Sequence, residues 1–125
     1  MLNMRQYIVT TLSFVILSGL TYRLWLSDKN YEYSNLGMSI HIILGCFLAL
    51  ILGMIAIAKR PYTHKKSSTK SIYNFIGTFN IHIAIVGTLF IYVDNGNHLS
   101  EQIAIFIVPF IIGLFVLKNI YFNKL

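Results

Sequence analysis

Residues 36–70 read LGMSIHIILGCFLALILGMIAIAKRPYTHKKSSTK, and the order of these letters decides the fold. Positions 36–58 carry no charge over a length that, as a helix of roughly 20 residues, crosses a hydrocarbon layer about 30 Å thick. Positions 59–70 then hold Lys59, Arg60, Lys65, Lys66 and Lys70 and no acid. Lipid offers the backbone no water to bond, so a spanning segment must pair its N–H and C=O groups internally, as a helix does. The change of character at Lys59 is where a membrane helix meets a basic loop.

Three more apolar stretches flank this one, at 7–26, 71–93 and 102–117. The expected class is all-α: an integral membrane four-helix bundle, up-down-up-down, forming one membrane domain over residues 1–125. Composition points the same way. Hydrophobic residues make up 56% of the chain and charged residues 11%, against about 25% charged in an ordinary soluble domain. A net charge of +6 would point to nucleic acid in a soluble protein. Here the basic residues follow the loops, so nucleic acid is not an expected partner and the lipid bilayer is. The first stretch lacks a small-x-small cleavage site and reads as a retained helix rather than a signal peptide. Cys46 is the single cysteine; within an apolar stretch it reads as a small apolar side chain.

Charge also sets an expected orientation. Lys and Arg concentrate in loops that remain in the cytoplasm. If the 59–70 loop is cytoplasmic, so are Arg5, Lys118 and Lys124, and eight of the ten basic residues lie on that side. Arg23 and Lys29 fall on the other side with all four acids, Asp28, Glu32, Asp94 and Glu101. Both termini are then cytoplasmic, in a cell membrane. Tyrosine and tryptophan prefer the headgroup level, where a ring can be wet at one end. Tyr7, Tyr62, Tyr73 and Tyr121 fall at one interface, and Tyr22, Trp25, Tyr31, Tyr33 and Tyr92 at the other. The abundance of Ile, Lys, Asn, Tyr and Phe points to a bacterial genome rich in A and T.

Small residues indicate where helices touch. Gly37, His41, Gly45, Ala49 and Gly53 recur every four positions and share one face of the second helix. Gly77, Asn80, Ala84 and Gly87 form a comparable stripe on the third. Small side chains let backbones approach, which replaces the hydrophobic drive that is missing between helices in lipid. The expectation is that these two stripes face each other, with Asn80 bonding across the contact. Pro109, followed by Gly113, reads as a shaping feature of the fourth helix. The first helix offers Thr10, Thr11, Ser13, Ser18 and Gly19, whose hydroxyls are expected to bond the preceding turn.

Two ionisable side chains fall within the apolar stretches, His41 and His82; His64 and His98 belong to loops. An ionisable residue inside a membrane is a functional candidate by default. Two histidines from two helices invite haem ligation, or the binding of a quinone. Depth argues against a shared haem. His41 is about 7–8 Å from the near end of its stretch and His82 about 16 Å from the corresponding end of its own, at 1.5 Å per residue. His82 also lies about 200° round the helix from Asn80, away from the small-residue face, at 3.6 residues per turn.

No cluster with the ligand count of a metal site is apparent in the sequence, and no catalytic residue is assigned, because the abundant hydroxyls lack an adjacent base and orienting acid. A coupled carrier generally keeps an acid within the membrane, and none of the four acids falls inside a stretch. The leading expectation is therefore a non-catalytic membrane protein: an accessory, assembly or protective partner of a larger membrane complex, acting through helix–helix recognition with a membrane protein or a second copy of itself, and needing no cofactor. The alternative is a haem- or quinone-binding redox protein using His41 and His82. A small pore or carrier is a further alternative.

Overall fold

The computed structural model describes residues 4–28, 36–59, 67–94 and 99–122. They form four helices: α1 (Met4–Asp28), α2 (Leu36–Lys59), α3 (Ser67–Asp94) and α4 (Leu99–Phe122). All four are long and apolar enough to cross a membrane. The readings of Glu32, Pro61, His64, His98 and the loop tyrosines fall outside the described residues.

Each of α1, α3 and α4 runs beyond its apolar stretch at both ends. The largest extensions are at the start of α3, which begins at Ser67, and the end of α4, which reaches Phe122. Apolar sequence stops where hydrocarbon stops, whereas the N–H to C=O ladder has no reason to break at that level. Pro109 is fully buried, and α4 continues past it to Phe122.

The helices are not equivalent. Over its apolar span α3 is 56% buried, against 28% for α2, 28% for α4 and 6% for α1. Every residue from Ile76 to Ala84 is buried, on all faces of the helix. α3 is thus the axis of the bundle, and it packs most closely on α4. The reason is glycine. A Cβ placed on Gly113 would stand 2.8 Å from the carbonyl oxygen of Gly77, and one on Gly87 would stand 2.3 Å from the Phe106 ring.

The apolar core is built by α2, α3 and α4 in three layers. Met38 and Ile42 meet Ala84 and Phe106. Ala49 meets Phe79 and Ile83. Ala56 meets Ile76 and Val116. α1 supplies only partly buried Leu17 and Leu24 to these layers. Its own buried residues, among those described, are Gln6 and Ser13. A polar attachment suits a membrane, where apolar side chains are as well solvated by lipid as by protein.

Candidate ligand-binding site

Polar side chains gather at two places along α1, and both gatherings join it to α3. The first involves the beginning of α1, the beginning of α3 and the end of α4. Asn74, fully buried, is its centre. Its Nδ2 donates to the Gln6 carbonyl at 3.0 Å, to Gln6 Oε1 at 3.1 Å and to Tyr121 Oη at 3.3 Å. Its Oδ1 accepts from Thr10 at 2.8 Å and from Thr78 at 3.3 Å. Tyr121 Oη donates to the Gln6 carbonyl at 2.7 Å and also touches the Thr10 hydroxyl. Gln6 Nε2 reaches Ser71 Oγ at 3.4 Å. Both the amide nitrogen and the amide oxygen of Asn74 are therefore occupied, by partners from two other helices and its own. We call this cluster the clasp.

The second gathering holds both membrane histidines. Thr21 Oγ1 on α1 lies 3.1 Å from His82 Nε2 on α3 and 3.5 Å from His41 Nε2 on α2. The imidazole centroids are 6.0 Å apart, edge to face. Phe79, one turn before His82, stacks on its ring with centroids 6.5 Å apart. His82 is buried and His41 half-buried. This corrects two expectations. Counted from the ends of their apolar stretches, the two histidines differ in depth by about 9 Å at 1.5 Å per residue, yet their imidazole rings come together across the α2–α3 contact. The facing argument assumed that α3 has one protein side. Because α3 is surrounded, its face away from Asn80 meets α1 and α2 instead of lipid.

Thr21 behaves differently from the other threonines. Thr88 returns its hydroxyl to the carbonyl four residues back, and Thr10 and Thr78 each share theirs between that carbonyl and Asn74 Oδ1. Among the described residues, the Thr21 hydroxyl has only the two imidazoles as hydrogen-bond partners.

Beside this trio lies a partly open cavity of about 630 Å³ between α1 and α3. From α1 it is lined by Phe14, Ser18, Thr21, Tyr22 and Trp25, which fall on one helical face by their spacing of three and four. Across from them stand His82, Leu89 and Phe90 of α3, with Met38 of α2. The lining is mainly apolar, with a few convergent polar groups, which is the usual make-up of a small-molecule site.

The small-residue positions are occupied as follows. Gly45 abuts Ile83 and Phe79 of α3, and Gly53 abuts Ile112 of α4 and the Asn80 amide. Ala49 and Ala84 are buried in separate core layers. Gly37 is half-buried near the start of α2. Gly77 and Gly87 turn to α4, so the α3 stripe does not lie wholly against that of α2. The glycines follow the closest backbone approach, and that approach is to α4. Asn80 is shared between them: its Nδ2 donates to the Ala49 carbonyl at 2.9 Å and to the Ile76 carbonyl at 3.0 Å. Its Oδ1 is buried without a hydrogen-bond partner among the described residues.

Gln6, Thr21, Asn74 and Thr78 were not among the residues expected at a site. The available signal was an amide or hydroxyl side chain within, or at the edge of, an otherwise apolar helix. Among the described residues, no three His, Cys, Asp or Glu side chains gather as a metal site would require. No protein-family model, curated protein or solved structure matches the chain.

Proposed function

We propose that this chain crosses a bacterial cell membrane four times, up-down-up-down, with both termini in the cytoplasm, and serves there as a non-catalytic accessory protein that holds a lipophilic small molecule. The threading is supported by the charge distribution over the loops. It is also supported by the clasp, which needs the starts of α1 and α3 and the end of α4 at one level.

The observation that carries the ligand reading is the meeting of His41, His82 and Thr21 at the wall of the α1–α3 cavity. Its volume, about 630 Å³, falls within the roughly 300–1,000 Å³ of small-molecule sites. His82 lies near the middle of α3 (Ser67–Asp94). Tyr22 and Trp25 line the same cavity nearer the end of α1, so it reaches from His82 toward the headgroup level.

Of the two ligands the histidines first suggest, a quinone suits this geometry better than haem. A shared haem would need both Nε2 atoms free as ligands. The Thr21 hydroxyl stands between those atoms instead. The small-residue faces that argued for an outside protein partner are largely engaged inside the bundle, at Ile83, Ile112, Gly113 and Phe106. That leaves the cavity as the feature through which an accessory role is best understood.

Trp25 is the only tryptophan in the chain and lines the cavity, so its fluorescence reports occupancy. A decyl-tailed benzoquinone titrated into the protein in dodecyl maltoside should quench Trp25 saturably. His82→Leu should retain the fold and lose the saturable component. Quenching that never saturates, or that saturates equally in His82→Leu, removes the proposal.

A further inference from the structure

We infer that His41, Thr21 and His82 form a reversible hydrogen-bond chain that lets the cavity accept both the carbonyl and the hydroxyl form of a quinone-class ligand. This rests on the reading of the α1–α3 cavity as a ligand site and adds to it the polarity of the head group.

The inference comes from counting hydrogens. A neutral imidazole carries one N–H and one bare nitrogen, and a hydroxyl can donate once while accepting. Thr21 has no hydrogen-bond partner among the described residues except the two Nε2 atoms. With its single hydrogen given to one of them, its oxygen is left to accept from the other. Two arrangements satisfy this. In one, His41 Nε2–H donates to Thr21, Thr21 donates to His82 Nε2, and His82 carries its hydrogen on Nδ1. In the other, every bond reverses: His82 Nε2–H donates to Thr21, Thr21 donates to His41 Nε2, and His82 Nδ1 is bare.

Both arrangements hold the same three hydrogens: as protons step from His41 Nε2 through Thr21 to His82 Nε2, one leaves His82 Nδ1 and one is taken up at His41 Nδ1 by exchange with water, so the reversal needs no net proton and no electron. What changes is the group His82 offers from its remaining nitrogen. In the first arrangement it offers a donor, which matches a quinone carbonyl. In the second it offers an acceptor, which matches the hydroxyl of the reduced form. His82 is the member of the imidazole pair that lines the cavity. His41 sits behind it, so His41 is a positioning residue whose tautomer records the ligand without touching it. A threonine tied to its own helix, as Thr88 is, would allow no such reversal.

Imidazole 15N shifts distinguish Nδ1–H from Nε2–H. Histidine-labelled protein in dodecyl maltoside is compared with the decyl-tailed benzoquinone and with its hydroquinone, occupancy being followed at Trp25. With the quinone, His82 is expected as Nδ1–H and His41 as Nε2–H. With the hydroquinone, both should exchange tautomer, in opposite senses. In Thr21→Val, His82 should still follow the ligand while His41 no longer does. If ligand binds but the two tautomers stay fixed, or His41 still follows in Thr21→Val, the chain is overturned while the cavity reading stands. If Trp25 detects no binding, the cavity reading itself falls, and this inference with it. A lipid ester carbonyl is an acceptor of the same kind, so phosphatidylcholine is added alone as a further arm. If it alone sets His82 as Nδ1–H, the quinone assignment is overturned.

Discussion

The clasp and the histidine trio join the same two helices and differ in what they leave over. In the clasp, Asn74 donates to Gln6 and Tyr121 and accepts from Thr10 and Thr78, so both ends of its amide are consumed inside the protein. In the trio, one hydroxyl serves two imidazoles, and the second nitrogen of each ring has no hydrogen-bond partner among the described residues. The clasp is closed at the meeting of three helices; the trio borders a cavity. Fully satisfied polar networks fix a structure, and groups with spare capacity in a low dielectric are strongly drawn to any partner that fits. One cluster holds α1 in place, and the other is where we propose that a ligand bonds.

The largest test of this contrast is Asn74→Leu. It removes the Asn74 side-chain contacts to Gln6, Thr10, Tyr121 and Thr78 and leaves Gln6 and Thr10 with fewer partners. Two amide hydrogens and the Thr10 hydroxyl make three bonds to other helices at any one time, and interhelical bonds in membranes average about 0.6 kcal/mol each, so the loss should come to about 2 kcal/mol, read as a shift in SDS-titration unfolding followed by circular dichroism. A shift no greater than that of Thr21→Val would show that α1 is not held mainly by the clasp, and the contrast would collapse.

Gly113→Ala sharpens the comparison by a different route. The added Cβ would stand 2.8 Å from the Gly77 carbonyl oxygen and 2.7 Å from Ile81 Cγ1. A backbone atom cannot swing aside, so α4 must move away from α3. Overpacking of this kind costs about 1–3 kcal/mol. Tyr121 is the α4 residue in the clasp, so part of the effect should pass through it. A double variant with Tyr121→Phe should lose less than the sum of the two single losses, as coupled sites do. Strict additivity would mean that the glycine contact and the clasp are independent.

The sequence made these two regions unequally legible. The four helices followed from apolar length alone, because lipid permits a single backbone solution for such segments. Their ends were less visible, as Ser67 and Phe122 illustrate, since hydropathy falls before the helix does. Asn80 stood out because it interrupts a glycine stripe, whereas Asn74, six residues earlier, interrupts nothing periodic. His41 and His82 were recognised as candidates, yet their meeting was hidden. Helical-wheel counting presumes one buried face, and α3 is buried on every face from Ile76 to Ala84. Thr21 was hidden for a subtler reason. A threonine in an apolar helix normally bonds its own preceding turn, and nothing local tells that Thr21 turns outward to two rings supplied by α2 and α3.

Thr21→Val should have the smallest effect on stability and still divide the two clusters most cleanly. Valine keeps the β-branched shape and removes the hydroxyl. The two bonds lost are long, 3.1 and 3.5 Å, and the released Nε2 atoms can seek other partners beside a cavity. Unfolding should shift by about 0.5 kcal/mol or less, near the average for a membrane hydrogen bond. Affinity for the quinone probe, read at Trp25, should fall several-fold, because a His82 ring no longer held through Nε2 can turn away from the ligand. Thr21→Ser, which restores the hydroxyl without the methyl, should recover most of that affinity. A stability loss approaching that of Asn74→Leu, with unchanged quenching, would make the trio a second clasp and remove its claim to a ligand.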